Sequence, residues 1–290
     1  MERWMHMKKM VCVLLAAILC LTAAGALAQD DFQTPVGYDQ KQEGVAYGKL
    51  ESKAYFSQTC GKERKCFVYL PANYDAEKEY PLLFLLHGIG GNESEWTGGR
   101  PEVILGNMVS SGEAVEMIVV TPNIKAYPAG TTTSANMYGP EAIAAFDNFI
   151  NDLRDDLLPF LKENYKIREG RENMAVAGLS MGGREALYIG LTMQDTFAYV
   201  GAFCPAPGVL PYFSEGGLFQ PEEFKADESL ETFIMINAGS TDTVVGNFPE
   251  VYSQTLTQNG TDHVFYVTTG GHDFTVWKHG LYNFAKHLFK

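Results

Sequence analysis

A serine between two glycines, in the stretch VAGLSMGG at residues 176–183, is the first group in this sequence that could do chemistry. Gly178, Ser180 and Gly182 match the G-x-S-x-G pattern of a nucleophile elbow, a tight strand-to-helix turn that exposes the serine hydroxyl. The bare pattern often occurs by chance, but here an apolar run precedes it and a helix-forming run follows. This context predicts a nucleophilic Ser180, and the alternative is a serine in an ordinary glycine-rich turn.

A serine nucleophile needs a base to remove its proton and a carboxylate to orient that base. Where an elbow carries the serine, the carboxylate follows it along the chain and the histidine comes last, after the final strand. Asp242 in INAGSTDTVV and His272 in TTGGHDFTVW stand at these places. Asp262, in a turn before a strand, and Asp273, awkwardly close to His272, are the weaker candidates for the carboxylate. The other histidines are not placed as a base: His6, His87, His263, His279 and His287.

Backbone amides must stabilise the oxyanion that forms when a serine attacks an ester carbonyl. One amide belongs to the residue after the nucleophile, Met181, and the other comes from the loop after the third strand. The stretch HGIGG at residues 87–91 provides that loop, and we expect Ile89 to be its donor. A packed turn without a catalytic role is the alternative, and His87 itself is expected to be structural.

The elements that must position these residues alternate between strand and helix along the chain. Several strand candidates are apolar throughout, as strands covered on both faces must be. A helical stripe runs through PEAIAAFDNFINDLRDDLLPFLKENY, with a kink expected at Pro159. Further helices are expected after Ser180 (REALYIGLTM), before residue 260 (PEVYSQTLTQ) and at the end of the chain (WKHGLYNFAKHLF). The pattern predicts a doubly wound α/β fold with a mainly parallel sheet and an antiparallel hairpin of the first two strands at its edge. The eight strand candidates are KAYFSQT, KCFVYLP, PLLFLLHG, EMIVVTPN, NMAVAGLS, YVGAFCPA, TFIMINAGS and HVFYVTTGG.

The first 28 residues have the pattern of a secretory signal peptide, with Arg3, Lys8 and Lys9 before an apolar run and ALAQ as a cleavage site after Ala28. We therefore expect a secreted or periplasmic protein with an N-terminal extension at 29–49 and one catalytic domain at 50–290. The whole chain carries a formal net charge of -13, and cleavage would make it more acidic. This charge argues against nucleic acid as a partner and, after cleavage, against binding to a membrane surface.

Three cysteines remain after the predicted cleavage. Cys60 and Cys66 flank a polar loop between the first two strands, and an exported protein could form a disulfide there. Two free thiols are the alternative, and the spacing does not resemble a zinc site. Cys204 follows a later strand on the side where ligands bind in such sheets, but an isolated cysteine is usually a small core residue.

Four segments in order resemble carbohydrate esterase family 1, the feruloyl and acetyl xylan esterases: LLHGIGGNESEW, AFDNFINDLRDDLLPFL, VAGLSMGGREAL and GGHDFTVWKHGLYNFAKHLF. The resemblance covers roughly residues 50–290 and implies an α/β-hydrolase fold. It also implies ester hydrolysis through an acyl-serine without metal or cofactor, and feruloylated or acetylated arabinoxylan as substrate. The family's triad falls on Ser180, Asp242 and His272. Cys204 stands where members of the family tend to carry serine or another small residue.

The segment between CPAPG and ETFIMINAG is short for a large lid, so we expect an open site that a polymer can reach. Trp96, Tyr138 and Trp277 adjoin the motif segments and are candidates for binding the acyl ring or sugar, with packing roles as the alternative. Feruloyl esterase activity is the leading interpretation and acetyl xylan esterase activity the next. The remaining alternatives are an acyltransferase of the same fold, a thioester or siderophore-ester hydrolase, and a non-catalytic carbohydrate-binding protein.

Overall fold

A computed structural model describes residues 32–213 and 216–290 of the chain. The chain divides into a unit of residues Met1–Pro35 and a compact unit of residues Val36–Lys290, and the second unit is described below. The predicted signal peptide at 1–28 and its cleavage site lie outside the described residues. Within the described part of the chain, no helix combines the length and the apolar character that crossing a membrane requires.

The compact unit is built on an eight-stranded sheet with the strand order β1-β2-β4-β3-β5-β6-β7-β8. The edge strand β1 and its neighbour β2 form the predicted antiparallel hairpin. Strand β2 also pairs antiparallel with β4, and all other pairs are parallel. All eight predicted strands are present. Their bounds are β1 Lys49–Ser57, β2 Lys62–Leu70, β3 Leu82–Leu86, β4 Ile118–Pro122, β5 Met174–Leu179, β6 Tyr199–Phe203, β7 Phe233–Gly239 and β8 Val264–Thr268.

Helices cover both faces of the sheet, and the central strands are apolar because neither of their faces meets water. Every residue of β3 and of β5 is buried. The predicted α/β architecture with a mainly parallel sheet is therefore confirmed. The helices are α1 Pro101–Ser110, α2 Pro140–Asp147, α3 Phe149–Asp152, α4 Leu158–Asn164, α5 Met181–Thr192, α6 Phe248–Gln258 and α7 Phe274–Ala285.

The long helix predicted over residues 140–165 is broken into three pieces, which the sequence pattern did not indicate. Between α3 and α4 the chain forms a π-helical turn at Leu153–Leu157, in which the Leu158 N–H donates to the Leu153 carbonyl five residues back. Pro159 has no N–H to continue the ordinary ladder, and its ring would clash with the carbonyl four residues earlier. A wider turn just before the proline relieves that clash, so the helix is rewound rather than simply kinked.

The predicted disulfide between Cys60 and Cys66 is not present, and both cysteines are buried free thiols. The hairpin register pairs Cys66 with Lys53, whereas Cys60 lies in the turn beyond the end of β1. Cys66 is four residues into β2, about 13 Å from its start. Cys60 lies before that start, in the turn, so the hairpin does not place the two cysteines opposite each other at the short Cα distance a disulfide requires. The error came from expecting the two cysteines to face each other across the hairpin.

The compact unit begins earlier than the predicted domain start at residue 50. The Asn107 side-chain amide donates to the carbonyls of Tyr38 and Gln40, at 2.9 Å each. Tyr47 in turn donates its hydroxyl to the Asn107 carbonyl oxygen at 2.8 Å. Residues 36–48 are thus tied to helix α1, and they belong to the folded unit instead of forming an extension outside it.

Candidate active site

Ser180 lies at the sharp turn between β5 and α5. Its backbone is in an unusual conformation, with φ 54° and ψ −118°, and it is the residue immediately before the helix. Such a conformation is strained for a residue with a side chain and persists only where the surroundings hold it. The Ser180 N–H donates to the Phe203 carbonyl at 2.9 Å, and the Ser180 carbonyl accepts from the Ala206 N–H at 3.0 Å. Both contacts tie the elbow to the end of β6.

The two glycines of the motif are required by close packing of strand and helix. A Cβ on Gly178 would lie 2.3 Å from the Gly182 carbonyl oxygen. A Cβ on Gly182 would lie 2.2 Å from the Leu86 carbonyl oxygen at the end of β3. Both distances are far inside van der Waals contact with backbone atoms that cannot move aside. The glycines therefore allow the elbow to pack against β3.

His272, in the loop between β8 and α7, contacts both other residues of the predicted triad. Its Nε2 lies 2.9 Å from Ser180 Oγ, and its Nδ1 lies 2.7 Å from Asp242 Oδ2. An ionised carboxylate can only accept, so Nδ1 carries the ring proton and Nε2 is free to accept from the serine hydroxyl. The structure thus brings together Ser180, Asp242 and His272 in the arrangement that general-base activation requires.

Asp242 is held in place by the backbone that follows it. Its second oxygen, Oδ1, accepts from the N–H groups of Val244 at 2.9 Å and Val245 at 3.2 Å. Burial opposes ionisation of this carboxyl, but the hydrogen bonds from His272 and from the two amides outweigh it and lower the pKa of Asp242 below its ordinary value. The group is therefore a carboxylate at neutral pH, able to stabilise an imidazolium.

The two weaker candidates for the carboxylate lie elsewhere. Asp273 is the N-cap of α7, and its side chain accepts from the Thr275 N–H at 2.7 Å. Asp262 is exposed before β8. In the structure, the ring of His272 contacts neither of these two carboxylates and pairs with Asp242 instead.

The two predicted oxyanion donors, Ile89 and Met181, line the same cavity as Ser180. Met181 is the first residue of α5. Ile89 belongs to the HGIGG turn, which His87 fixes from inside the protein. His87 donates from Nδ1 to the Gly88 carbonyl at 2.7 Å and accepts from the Ile124 N–H at 2.9 Å. Burial lowers the pKa of His87 to about 4, so it stays neutral and structural, as expected.

The cavity over Ser180 has a volume of about 680 Å³ and a mostly apolar lining. Tyr138, whose side chain is 71% exposed, stands at its rim. The main apolar wall residues are Ile143, Ala144, Ala206, Pro207, Val244 and Val245.

Of the three aromatic residues expected to bind substrate, two do not line this cavity. Trp96 is only 1% exposed, and its indole N–H donates to the Leu86 carbonyl at 3.0 Å. Trp277 is buried and stands edge-on to the His272 ring, with ring centroids 5.2 Å apart. The substrate-binding assignment is therefore wrong for Trp96, which packs in the core, and for Trp277, which supports the catalytic histidine. Tyr138 alone stays a candidate.

Sequence reasoning did not find the apolar wall residues, and it also missed three polar side chains of the cavity wall. Tyr212 comes from the segment between β6 and β7, where no periodicity marked it. Arg184 and Asp147 form an ion pair at 2.5 Å across the wall, from helices α5 and α2. The position of Arg184 one helical turn after Ser180 was the available signal, because residues four apart share a helix face. Asp147 had no comparable signal in the sequence.

Cys204 is fully buried at the end of β6 and lies beside the catalytic pair instead of in a remote part of the core. Its Sγ, an Asp242 carboxylate oxygen and a His272 ring nitrogen all lie within 4.8 Å of one another. Burial, reinforced by the neighbouring Asp242 carboxylate, raises the pKa of the Cys204 thiol. In the resting site this sulfur is therefore protonated.

Comparison with known proteins gives the family. The sequence model of the family described as Putative esterase matches residues 57–288. A CE1 ferulic acid esterase from Anaeromyces mucronatus, solved in complex with ferulic acid, is 38% identical with a TM-score of 0.84. That match covers 89% of this chain and 97% of the other. The chain therefore belongs to this esterase family and, within it, to carbohydrate esterase family 1.

Two curated relatives are more distant. An endo-1,4-beta-xylanase/feruloyl esterase from Xylanibacter ruminicola is 28% identical over 86% of this chain, which spans only 32% of that relative's length. An acetyl esterase from Caldicellulosiruptor saccharolyticus is 23% identical over 80% of this chain and 84% of its own. The predicted α/β-hydrolase fold and, at the level of the family, the predicted carboxylic ester hydrolase are confirmed.

Proposed function

We propose that this chain is a serine esterase that releases ferulate from feruloylated plant cell-wall xylan. The observation that carries this proposal is the hydrogen-bonded chain from Ser180 through His272 to Asp242, which opens onto a cavity of about 680 Å³. The similarity to ferulic acid esterases supports the choice of acyl group.

The reaction begins when His272 Nε2 accepts the proton of Ser180 Oγ, which attacks the ester carbonyl. The amides of Met181 and Ile89 donate to the resulting oxyanion. The His272 imidazolium forms beside the Asp242 carboxylate, which stabilises its charge. His272 then gives the proton to the departing sugar hydroxyl, and water, deprotonated in the same way, releases the acid from the acyl-serine.

The size and lining of the cavity favour an aromatic acyl group over acetate. An acetyl group would occupy only a small part of such a volume and would leave its apolar wall in contact with water. A hydroxycinnamoyl ring can instead bury its faces against Ile143 and Val244, with Tyr138 and Tyr212 beside it. Acetyl xylan esterase activity is the second candidate, because an acetyl esterase is among the relatives.

The polysaccharide side of the substrate is expected to remain largely in solvent. Tyr138 is exposed at the rim of the cavity, where a sugar ring could stack on it. The predicted signal peptide at 1–28 supports export to the periplasm or the medium, where such polymers occur.

The test is hydrolysis of methyl ferulate and of acetylated xylan by the purified chain, with Ser180→Ala in parallel and both acids quantified by chromatography. Release of ferulate by the wild type but not by Ser180→Ala supports the proposal. Release of acetate without ferulate would replace it by the second candidate, acetyl xylan esterase activity. Ferulate transfer to an added sugar would indicate an acyltransferase. Release of neither acid, together with no labelling by a fluorophosphonate probe, would favour a non-catalytic carbohydrate-binding protein.

A further inference from the structure

The thiol of Cys204 stands beside the Asp242–His272 pair, and the mechanism above does not use it. Its backbone is held in the left-handed region, with φ 48°, and its N–H donates to the Asn237 carbonyl at 2.9 Å. The backbone that carries the thiol is therefore held by β7. The sulfur lies within 4.8 Å of both a carboxylate oxygen of Asp242 and a ring nitrogen of His272.

Thiolate, carboxylate and imidazole are together a ligand set for zinc and for softer divalent cations such as cadmium. At ordinary zinc bond lengths, the donor atoms of a tetrahedral site lie about 3.3–3.7 Å apart. His272 Nδ1 and Asp242 Oδ2 are 2.7 Å apart, somewhat closer than two ligands of one zinc ion, and the Cys204 sulfur lies within 4.8 Å of a ring nitrogen and of a carboxylate oxygen. Small side-chain shifts would therefore bring the three donor atoms to the spacing of a tetrahedral site.

We propose that Cys204, Asp242 and His272 form an inhibitory binding site for a thiophilic divalent cation. The cation binds the Cys204 sulfur, an Asp242 oxygen and His272 Nδ1, and water completes the tetrahedron. The thiol proton leaves to solvent as the metal–sulfur bond forms. The ring proton of His272 moves from Nδ1 to Nε2, so the imidazole stays neutral with the opposite tautomer.

Inhibition follows from that change of tautomer. A protonated Nε2 has no lone pair with which to accept the Ser180 proton, so the serine loses its base. Nothing is oxidised or cleaved, and a chelator restores the original tautomer. The site therefore acts as a reversible block and supplies no step of the hydrolysis.

The other two buried thiols do not offer comparable surroundings. Cys60 Sγ is 3.5 Å from the guanidinium of Arg64, whose positive charge repels a cation. Cys66 is fully buried in β2 with the hairpin around it. Among the residues that the structure describes, the Cys204 cluster is the group of three metal-binding side chains that meets the spacing.

The experiment is a titration of the purified chain with CdCl₂ and with ZnCl₂, following hydrolysis of a 4-nitrophenyl ester and the ultraviolet absorption of the cadmium–thiolate bond. We expect reversible inhibition of the wild type and a cadmium–thiolate band that EDTA removes. In Cys204→Ser the inhibitory metal concentration should rise at least tenfold and the cadmium–thiolate band should disappear. Cys204→Ala is a second variant with the same expected result, in case one of the two folds poorly. Sensitivity is taken as the ratio of rates with and without metal for each variant.

Cys66→Ser is the matched control, because it removes an equally buried thiol and should leave the inhibition and the band unchanged. Ser180→Ala should keep the band although it has no activity, and His272→Ala should weaken metal binding. This binding readout makes failure of the metal site distinguishable from failure of the proposed function. The proposal is overturned if the wild type is insensitive, if Cys204→Ser is inhibited like the wild type, or if the band is lost in Cys66→Ser.

Discussion

Replacement of Asp242 by asparagine tests how the site sets the tautomer of His272. The two oxygens of Asp242 have different partners, since Oδ1 accepts from two backbone amides and Oδ2 accepts from His272 Nδ1. In Asp242→Asn the amide oxygen must stay at the position of Oδ1, because an NH₂ group there would face the N–H groups of Val244 and Val245. The NH₂ group therefore occupies the position of Oδ2 and donates to Nδ1.

This substitution should inactivate the enzyme although it hardly changes the shape of the side chain. With Nδ1 accepting, the ring proton sits on Nε2 and points at Ser180 Oγ, so His272 cannot act as a base. We expect kcat to fall roughly 10⁴-fold, equivalent to about 5.5 kcal/mol of lost transition-state stabilisation. Asp242→Ala leaves the His272 ring free to adopt either tautomer. Asp242→Asn should therefore be no more active than Asp242→Ala, although it keeps the shape of the side chain.

The assay is hydrolysis of methyl ferulate at neutral pH, with folding checked by circular dichroism and thermal unfolding. Asp273→Asn is the matched control, because it changes the carboxylate next to His272 in sequence, which caps α7 and does not contact the ring. Asparagine is an equally good N-cap, so its rate should stay within a few fold of the wild type. A folded Asp242→Asn protein with more than about a tenth of the wild-type kcat would refute the tautomer argument.

Three further predictions concern stability, each measured by urea or thermal unfolding. Burial lowers the pKa of His87 to about 4 in the folded state, so below about pH 6.5 the unfolded chain binds a proton there that the folded chain does not. The free energy of unfolding should therefore fall by about 2 kcal/mol between pH 7.5 and pH 5. If His87→Gln shows the same pH dependence as the wild type, this prediction is contradicted. Asp152 is fully buried, accepts a hydrogen bond from the Tyr55 hydroxyl at 2.6 Å and forms an ion pair with Arg64 at 3.2 Å. Asp152→Ala should therefore lower the free energy of unfolding by about 3–5 kcal/mol, and a loss below about 1 kcal/mol would show that this network is not stabilising. Gly182→Ala places a Cβ 2.2 Å from a carbonyl oxygen and should abolish stable folding, whereas Gly90→Ala, with nothing within 4 Å, should unfold near the wild-type temperature.

The local chemistry of the site was visible in the sequence because each part has a local signature. The elbow is a five-residue pattern between a strand and a helix, and the loops that hold Asp242 and His272 each follow an apolar strand. Strands buried on both faces are continuous apolar runs, which is why β3, β4 and β5 stand out in the sequence. Such features depend on neighbours along the chain.

The errors arose where contacts between distant segments decide the outcome. Whether Trp96 faces the cavity or the core depends on Leu86 and Phe203, which no local pattern connects to it. The hairpin register places Cys66 opposite Lys53, and nothing near Cys60 in sequence specifies that. Asp147 and Arg184 lie on two different helices and are 37 residues apart along the chain, so their pairing in the cavity wall could not be predicted.

The most direct test of the account is to trap the acyl-enzyme and locate it. The purified chain is mixed with a feruloyl ester, quenched with acid during turnover, digested and analysed by mass spectrometry, with Ser180→Ala treated identically. We predict a feruloyl adduct on the peptide that contains Ser180, and none in the variant. Ferulate release with the adduct on another residue, or undiminished release by Ser180→Ala, would contradict the assignment of Ser180 as the nucleophile.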